Sequence, residues 1–114
     1  MNIKQVSQET QISKDTLRYW EKVGLITDVS RNSSGYRDYT EQQLQQIEYV
    51  KCMRAAGISI EALLEYTKLS QQGSETLAIR KQILIAQRKQ IVAQLEHFQT
   101  MLELLDKKIE KITG

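Results

Sequence analysis

The feature that most constrains this chain is an apolar repeat that runs through its last third. Apolar residues recur every seven positions, at Leu77, Leu84, Ile91, Phe98, Leu105 and Ile112. A second row follows four positions after the first five of these, at Lys81, Arg88, Leu95, Leu102 and Ile109. The two rows form the seam of a coiled coil, which is uninterrupted from Ile91 onward.

A single helix capped by Ser74 and carrying this seam would be about 38 residues, or about 57 Å, long. The 114-residue chain offers no second long helix against which the seam can be buried. We therefore predict that the chain pairs with a copy of itself, most simply through an antiparallel coiled coil with two-fold symmetry. Because Lys81 and Arg88 interrupt the seam, its first part is expected to pack against a head domain.

The chain opens with two short predicted helices joined by a tight turn. Residues 3–10 form the first, and Ser13 caps the second. Leu17 and Trp20 share the apolar face of the second helix, which Gly24 ends. Two helices joined in this way form a helix-turn-helix, and the outward face of the second suits a DNA groove. The side chains on that outward face are Lys14, Asp15, Arg18, Tyr19 and Lys22.

A turn-rich cluster at residues 31–35 predicts the tip of a β-hairpin. In the extended segment that follows, Tyr36 points to one side while Arg37 and Tyr39 point to the other. Arg31 and Arg37 thus stand on either side of a flexible tip. This arrangement suits contact with phosphate, because a guanidinium group matches two phosphate oxygens at once.

Two further helices complete the predicted head. Thr40 caps the third helix, with Gln43 as the partner in a capping box. The core stripe of that helix is Leu44, Ile47, Val50 and Met53. A break at Gly73 separates a DNA-binding head, residues 1–73, from a dimerisation helix, residues 74–114. The predicted fold class is therefore mainly α: a winged helix-turn-helix head followed by a long C-terminal helix.

Composition narrows the class of protein. The net charge of +2 is only mildly basic, so DNA binding has to rest on where the cations lie. No apolar run approaches the roughly 18 residues of a membrane span, and no signal peptide is visible. The single cysteine excludes an internal disulfide. We therefore predict a cytoplasmic protein without membrane association.

Together these motifs resemble the MerR family of bacterial transcription regulators, along the whole length of the chain. The pieces that match include Thr16-Leu17-Arg18-Tyr19-Trp20-Glu21, Gly24-Leu25-Ile26 and Gly35-Tyr36-Arg37-Asp38-Tyr39. The Thr-Leu-Arg-Tyr and Gly-Tyr-Arg-x-Tyr pieces, at this separation, are the highly specific ones. The segment at residues 54–59 also matches the family pattern. Trp20 stands where many members carry Tyr, and Ser7 where Ala is commoner. Neither difference disturbs the resemblance.

The resemblance implies a homodimer that binds double-stranded promoter DNA and works with RNA polymerase. Such regulators activate or repress by distorting a promoter spacer that is too long for the polymerase. The DNA-binding residues it implies are Lys14, Asp15, Thr16, Arg18 and Tyr19 on the second helix, and Arg31, Tyr36 and Arg37 in the wing. The first three lie nearest the base edges, and the wing residues lie on flanking phosphates.

Cys52 is the candidate sensor. It lies about 170° from the centre of the third helix's core stripe, so it faces away from the core. The nearby cations Lys51 and Arg54 favour the reactive thiolate, although unpaired cysteines more often act as small buried hydrophobes. Resemblance to the short NmlR/AdhR-type subgroup implies that this thiol responds to aldehydes and other electrophiles.

Three other interpretations stay open. The chain is a winged-helix DNA-binding protein or repressor that senses nothing, or a coiled-coil adaptor, or a thiol enzyme using Cys52. The enzyme hypothesis lacks an activating base or a resolving cysteine. With Cys52 and His97 as the sole candidate ligands, and no cysteine-bearing loop or ligand domain after the long helix, we expect no metal and no organic cofactor.

Overall fold

The computed structural model describes residues 1–113 and is built mainly from helices, as predicted. A hairpin of two short strands, the wing, separates the second helix from the third. In chain order the elements are α1 (Ile3–Thr10), α2 (Lys14–Val23), β1 (Ser30–Arg31), β2 (Arg37–Asp38), α3 (Glu41–Ala55), α4 (Ile60–Gln71), a 3-10 helix (Ser74–Thr76) and α5 (Leu77–Thr113). The predicted fold class, a winged helix-turn-helix head with a long terminal helix, is confirmed.

Side-chain hydrogen bonds fix the ends of α1 and α2. The Asn2 side chain accepts from the N–H of Gln5 at 2.8 Å, and the Gln5 side chain accepts from the N–H of Asn2 at 2.9 Å. Ser13 Oγ accepts from the N–H of Thr16 at 3.1 Å and so caps α2. Gly24 ends α2 at a φ of +92°, a left-handed conformation that glycine adopts without strain. The caps predicted at Ser13 and Gly24 are confirmed.

The core of the head lies under the apolar face of α2. Leu17 and Trp20 are both buried, as their helical spacing predicts. Burying side chains of this size stabilises the fold by about 1.5–3 kcal/mol each. The other buried hydrophobic residues of the same cluster are Val6, Leu25, Ile26, Tyr39, Ile47, Val50, Ile58 and Leu63. This anchoring leaves Arg18 and Lys14 exposed on the outward face of α2.

The start of α3 holds the segment that leads into the wing. Thr40 and Gln43 form the predicted capping box. The buried Gln43 side chain also donates from its amide nitrogen to the carbonyl oxygens of Thr27, at 3.2 Å, and Asp28. Asp28 adopts a φ of +62°, which Asp tolerates better than most residues. The point at which the chain leaves for β1 is therefore fixed by α3.

The wing is an antiparallel hairpin in which Arg31 lies opposite Arg37. Its tip is closed by the Asn32 side chain, which accepts from the N–H groups of Ser34 at 2.9 Å and Tyr36 at 3.1 Å. The predicted alternation is confirmed, because Tyr36 is exposed whereas Arg37 is half-buried. The hairpin therefore turns the Arg37 side chain toward the rest of the head.

The last helix begins later than predicted. Ser74 does not cap it; instead Ser74 begins a 3-10 helix, and α5 begins at Leu77. The Thr76 hydroxyl lies 2.7 Å from the carbonyl oxygen of Leu69 and 2.8 Å from that of Gly73, which favours a tight turn over a longer α-helix. The chain divides into two compact units between Thr76 and Leu77, slightly after the boundary predicted at Gly73.

The second unit is α5, a continuous helix of 37 residues. In the single chain the apolar side chains along the second half of the predicted seam are exposed, namely Leu95, Phe98, Leu102, Leu105, Ile109 and Ile112. Pairing of this seam with a second copy stays a prediction. Gly114, the last residue of the predicted 74–114 segment, lies outside the described residues.

Candidate nucleic-acid interface

The N-terminal end of α1, the helix α2 and the wing surround one concave surface, here called the arginine groove. It has a volume of about 370 Å³. Three arginines from three elements line it: Arg18 of α2, Arg31 of β1 and Arg37 of β2. Its other lining residues are Asn2, Ile3, Lys4, Asn32 and Tyr36. With four cationic side chains and no acidic one among the described lining residues, the groove favours a polyanion.

The arginine groove brings together half of the residues predicted to bind DNA. Those inside it are Arg18, Arg31, Tyr36 and Arg37. Those outside it are Lys14, Asp15, Thr16 and Tyr19, all on α2. Lys14 and Asp15 are exposed in the first turn, and Tyr19 is about half exposed. The outward face of α2 therefore presents a second row of polar side chains beside the groove.

Two of the three groove arginines have a weakly constraining partner. Arg18 Nη1 lies 3.2 Å from Asp15 Oδ1, one turn back on the same helix, and the Asp15 side chain is 96% exposed. Exposed pairs of this kind are worth only about 0.2–0.5 kcal/mol. Arg31 Nη1 donates to the carbonyl oxygen of Gly35 at 3.2 Å, within the hairpin. Both guanidinium groups are therefore free to adjust to a ligand.

The third groove arginine is held across two elements. Arg37 Nε of the wing donates to Glu21 Oε2 of α2 at 2.5 Å, and each side chain is only 24% exposed. A short, charge-assisted hydrogen bond in partly buried surroundings is stronger than an exposed ion pair. This bond ties the wing to the helix that is predicted to lie in the DNA groove.

Tyr39 lies in the core next to this ion pair. Its side chain is buried, and its hydroxyl has no hydrogen-bond partner among the described residues. Burial raises the pKa of the Tyr39 phenol, and the Glu21 carboxylate raises it further. The guanidinium groups of Arg37, Arg18 and Arg31 oppose this shift.

Alkaline pH is expected to destabilise the head through Tyr39. Because the folded-state pKa lies above the ordinary value of 10.0, the unfolded chain loses this proton first. The free energy of unfolding should therefore be unaffected below about pH 10 and should fall above it, by at most about 1.4 kcal/mol per pH unit. Urea unfolding at pH 8, 10 and 11 measures the slope. Tyr39→Phe should reduce it, whereas the exposed control Tyr36→Phe should not; equal slopes in all three proteins would contradict the assignment.

Sequence reasoning missed several residues of this site. Asn2 and Lys4 line the groove because α1 brings its N-terminal end beside the wing, and no motif signals that approach. Glu21 belongs to the matched family pattern, but its position in the sequence does not indicate a contact with the wing. Its spacing of 16 residues from Arg37 carries no periodic signal.

Cys52 lies on the exposed side of α3, as predicted. Of the two nearby cations, Arg54 donates from Nη1 to the carbonyl oxygen of Ile58 at 2.8 Å and so closes the turn after α3. Lys51 is half-buried. The thiol is therefore accessible to a reagent in solution in the single chain.

Comparison with known proteins decides the family. The profile described as MerR HTH family regulatory protein matches residues 1–69, which include α1, α2, the wing and α3. This chain belongs to the MerR family. Among its relatives, the HTH-type transcriptional regulator AdhR of Bacillus subtilis is 50% identical over 92 residues, which cover 81% of this chain and 66% of AdhR. The chain thus spans slightly less than two thirds of the length of that relative.

Solved MerR structures match the fold over nearly the whole chain. A protein from Listeria monocytogenes, assigned to the MerR family, has a TM-score of 0.92 and 38% identity, covering 100% of this chain and 86% of its own. HiNmlR, a MerR family regulator lacking the sensor domain and crystallised with promoter DNA, has a TM-score of 0.88 and 26% identity. That match covers 96% of this chain and 86% of HiNmlR.

These comparisons confirm the predicted MerR assignment. The relatives are named as transcriptional regulators, so they support a regulator and not the thiol enzyme kept as an alternative. Within the part of the chain that the structure describes, no helix has the length and apolar character needed to span a membrane.

Proposed function

We propose that this MerR-family chain is a transcription regulator that binds promoter DNA through α2 and the wing. The observation that carries the proposal is the convergence of Arg18, Arg31 and Arg37 in one groove. In this arrangement α2 enters the major groove and the wing lies on the flanking phosphates. The exposed Lys14 and Asp15, together with the half-buried Thr16, then face base edges, where sequence is read. The crystal structure of HiNmlR with promoter DNA supports this role.

The functional unit is a homodimer joined through α5. The exposed apolar seam of that helix supports pairing, since a coiled-coil partner would cover side chains that water otherwise surrounds. Two-fold symmetry then presents two heads to the same side of the duplex. Helix-turn-helix dimers bind half-sites separated by whole helical turns, so the operator is expected to be a palindrome.

Regulation works through the shape of the promoter. The dimer activates by distorting an over-long spacer so that RNA polymerase engages the two recognition boxes of the promoter. When the bound dimer leaves the spacer undistorted, it represses. Smooth bending of a site costs about 1–6 kcal/mol. Contacts made by both heads offset this cost. The family membership of the chain supports this mechanism.

The signal is an electrophile that reacts with Cys52. The thiolate sulfur attacks the carbonyl carbon of an aldehyde. A C–S bond forms as the C=O π bond breaks, and the carbonyl oxygen takes up a proton to give a hemithioacetal. Exposure of the thiol supports this proposal, as does the 50% identity to AdhR. The alternative is a winged-helix DNA-binding protein or repressor in which Cys52 has no sensory role; it predicts that thiol reagents leave transcription unchanged.

DNA binding is tested by removing one groove arginine. Arg18→Ala is expected to weaken binding to the upstream DNA of its own gene by about 1–3 kcal/mol, or about 5- to 150-fold. The binding constant is measured by fluorescence anisotropy at several salt concentrations, alongside a footprint of the same region. Lys68→Ala, which removes another exposed cation from α4, should leave the binding constant unchanged. Equal affinities for the two variants would overturn the proposed interface.

A further inference from the structure

The Glu21–Arg37 bond places a carboxylate directly behind a cation that faces the arginine groove. Glu21 uses Oε2 to accept from Arg37 Nε, the inner nitrogen of the guanidinium group. Arg37 lines the groove, whereas Glu21 does not. Arginine carries four further N–H donors on its two terminal nitrogens. Among the described residues, the Arg37 side chain makes no other hydrogen bond, so those donors remain available on the groove side.

A phosphate ligand binds more tightly when the terminal nitrogens of the arginine are already held in place. A free arginine loses side-chain entropy when two of its N–H groups bind one phosphate. Glu21 removes much of that freedom beforehand, since the pair is half-buried and joins two separate elements. Asp15 is a poorer brace for Arg18, because its carboxylate is almost fully exposed and lies on the same helix.

We propose that Glu21 is a positioning residue for DNA: it holds Arg37 so that the terminal nitrogens of the guanidinium group meet a DNA phosphate. The inference rests on the proposed function and extends it to a residue of the opposite charge. Glu21 itself makes no contact with the DNA. It acts through Arg37, and through Arg37 it fixes the wing relative to α2.

The proposed positioning role and simple charge repulsion predict opposite changes in DNA affinity when Glu21 is replaced by glutamine. If Glu21 only repels phosphates, Glu21→Gln removes a negative charge near DNA and binding becomes tighter. If Glu21 positions Arg37, the same change leaves only the weaker neutral acceptor of glutamine, so the arginine is held less firmly and binding becomes weaker, by about tenfold for the loss of charge assistance. The sign of the change therefore separates the two explanations.

The experiment measures binding to the upstream DNA fragment by fluorescence anisotropy between about 50 and 200 mM salt. In a plot of log K against log salt concentration, each phosphate contact contributes about 0.9 to the slope. Glu21→Gln is expected to bind about tenfold more weakly and to lose about 1.8 from the slope, one contact for each head of the dimer. Glu9→Gln changes the net charge equally on α1 outside the groove, and it should not lose affinity. In an Arg37→Gln background, Glu21→Gln should have no further effect.

The outcomes separate failure of the positioning role of Glu21 from failure of the proposed DNA-binding function. Tighter or unchanged binding by Glu21→Gln, or a loss that persists in the Arg37→Gln background, overturns the positioning role while leaving DNA binding intact. Absence of Arg18-dependent binding by the wild type overturns the proposed function itself. Should Glu21→Gln not fold by circular dichroism, Arg37→Lys provides the second test. Lysine keeps the charge but lacks the planar guanidinium group that binds both Glu21 and a phosphate, so a weaker complex supports the role and wild-type affinity refutes it.

Discussion

A Leu102→Lys variant is expected to sediment as a single 13.2 kDa chain and to bind promoter DNA at least about 100-fold more weakly than the wild type. Leu102 lies in the uninterrupted half of the seam and is 59% exposed in the single chain. In a two-fold symmetric pair the substitution occurs twice. Each lysine ammonium would then be placed against apolar side chains, which costs several kcal/mol unless the helices separate.

Loss of pairing should remove most of the DNA affinity. A dimer that has bound one half-site holds its second head at a high effective concentration, which raises affinity by about 10²–10⁴ without any new contact. A monomer keeps its arginine groove but has no second head. It also loses the means of bending the spacer, since bending needs a grip on both sides.

Leu104→Lys is the matched control for this prediction. Leu104 is 61% exposed, so its environment in the single chain is nearly the same as that of Leu102. It lies outside both rows of the seam, and its substitution should leave the sedimentation mass and the DNA affinity unchanged. Equal behaviour of the two lysine variants would show that the seam does not mediate pairing. Analytical ultracentrifugation at micromolar concentration, together with anisotropy on the same samples, decides between the outcomes.

The parts of the head that were predictable from the sequence depend on local chemistry. Ser13 caps α2 and Thr40 caps α3 because a short hydroxyl side chain reaches the backbone three residues ahead. Gly24 ends α2 because few other residues adopt a positive φ there. The apolar face at Leu17 and Trp20 follows from helical spacing alone. All of these signals lie within a few neighbouring residues, so no knowledge of the tertiary fold is needed.

The parts that were not predictable depend on contacts between distant segments. Glu21 and Arg37 are 16 residues apart, and their bond forms only once the hairpin folds back toward α2. The two bonds from Gln43 to Thr27 and Asp28 are of the same kind, because the capping-box pattern explains Gln43 without them. At Ser74 the local signal was present but misleading. The sequence predicts a helix cap there, whereas the structure has a 3-10 helix in which the Thr76 hydroxyl donates to the carbonyl oxygen of Leu69.

In the proposed DNA site, α2 and the wing are therefore held in place in two different ways. The helix α2 is held by its buried face, which fixes the row of side chains that is proposed to face bases. The wing is placed by Gln43 at its root and by Glu21 at its second strand. The wing arginines that are proposed to bind phosphate lie on two-residue strands and would otherwise be loosely held, because an isolated short hairpin is only marginally stable in water. Polar contacts between elements supply that rigidity here.

Replacing Cys52 should abolish the response to electrophiles while leaving DNA binding intact. Cys52 is the sole cysteine of the chain, so Cys52→Ser leaves no thiol for an aldehyde or quinone to modify. The side chain is exposed on α3 and takes no part in the buried cluster of the head, so a serine should be tolerated there. A reporter behind the cognate promoter should be induced by electrophile in the wild type and show no induction in the variant.

Two controls separate sensing from a structural effect of the substitution. Cys52→Ala should behave as Cys52→Ser does, because neither variant carries a thiol that can form a thiolate. Both variants should bind the promoter fragment with wild-type affinity in the absence of reagent. Undiminished induction in either variant would remove the thiol from the mechanism and favour the regulator without thiol sensing. Loss of induction with retained basal binding would show that a covalent change at the Cys52 sulfur alters how the two heads of the dimer bind DNA. The exposed face of α3 would then be the element that transmits this change.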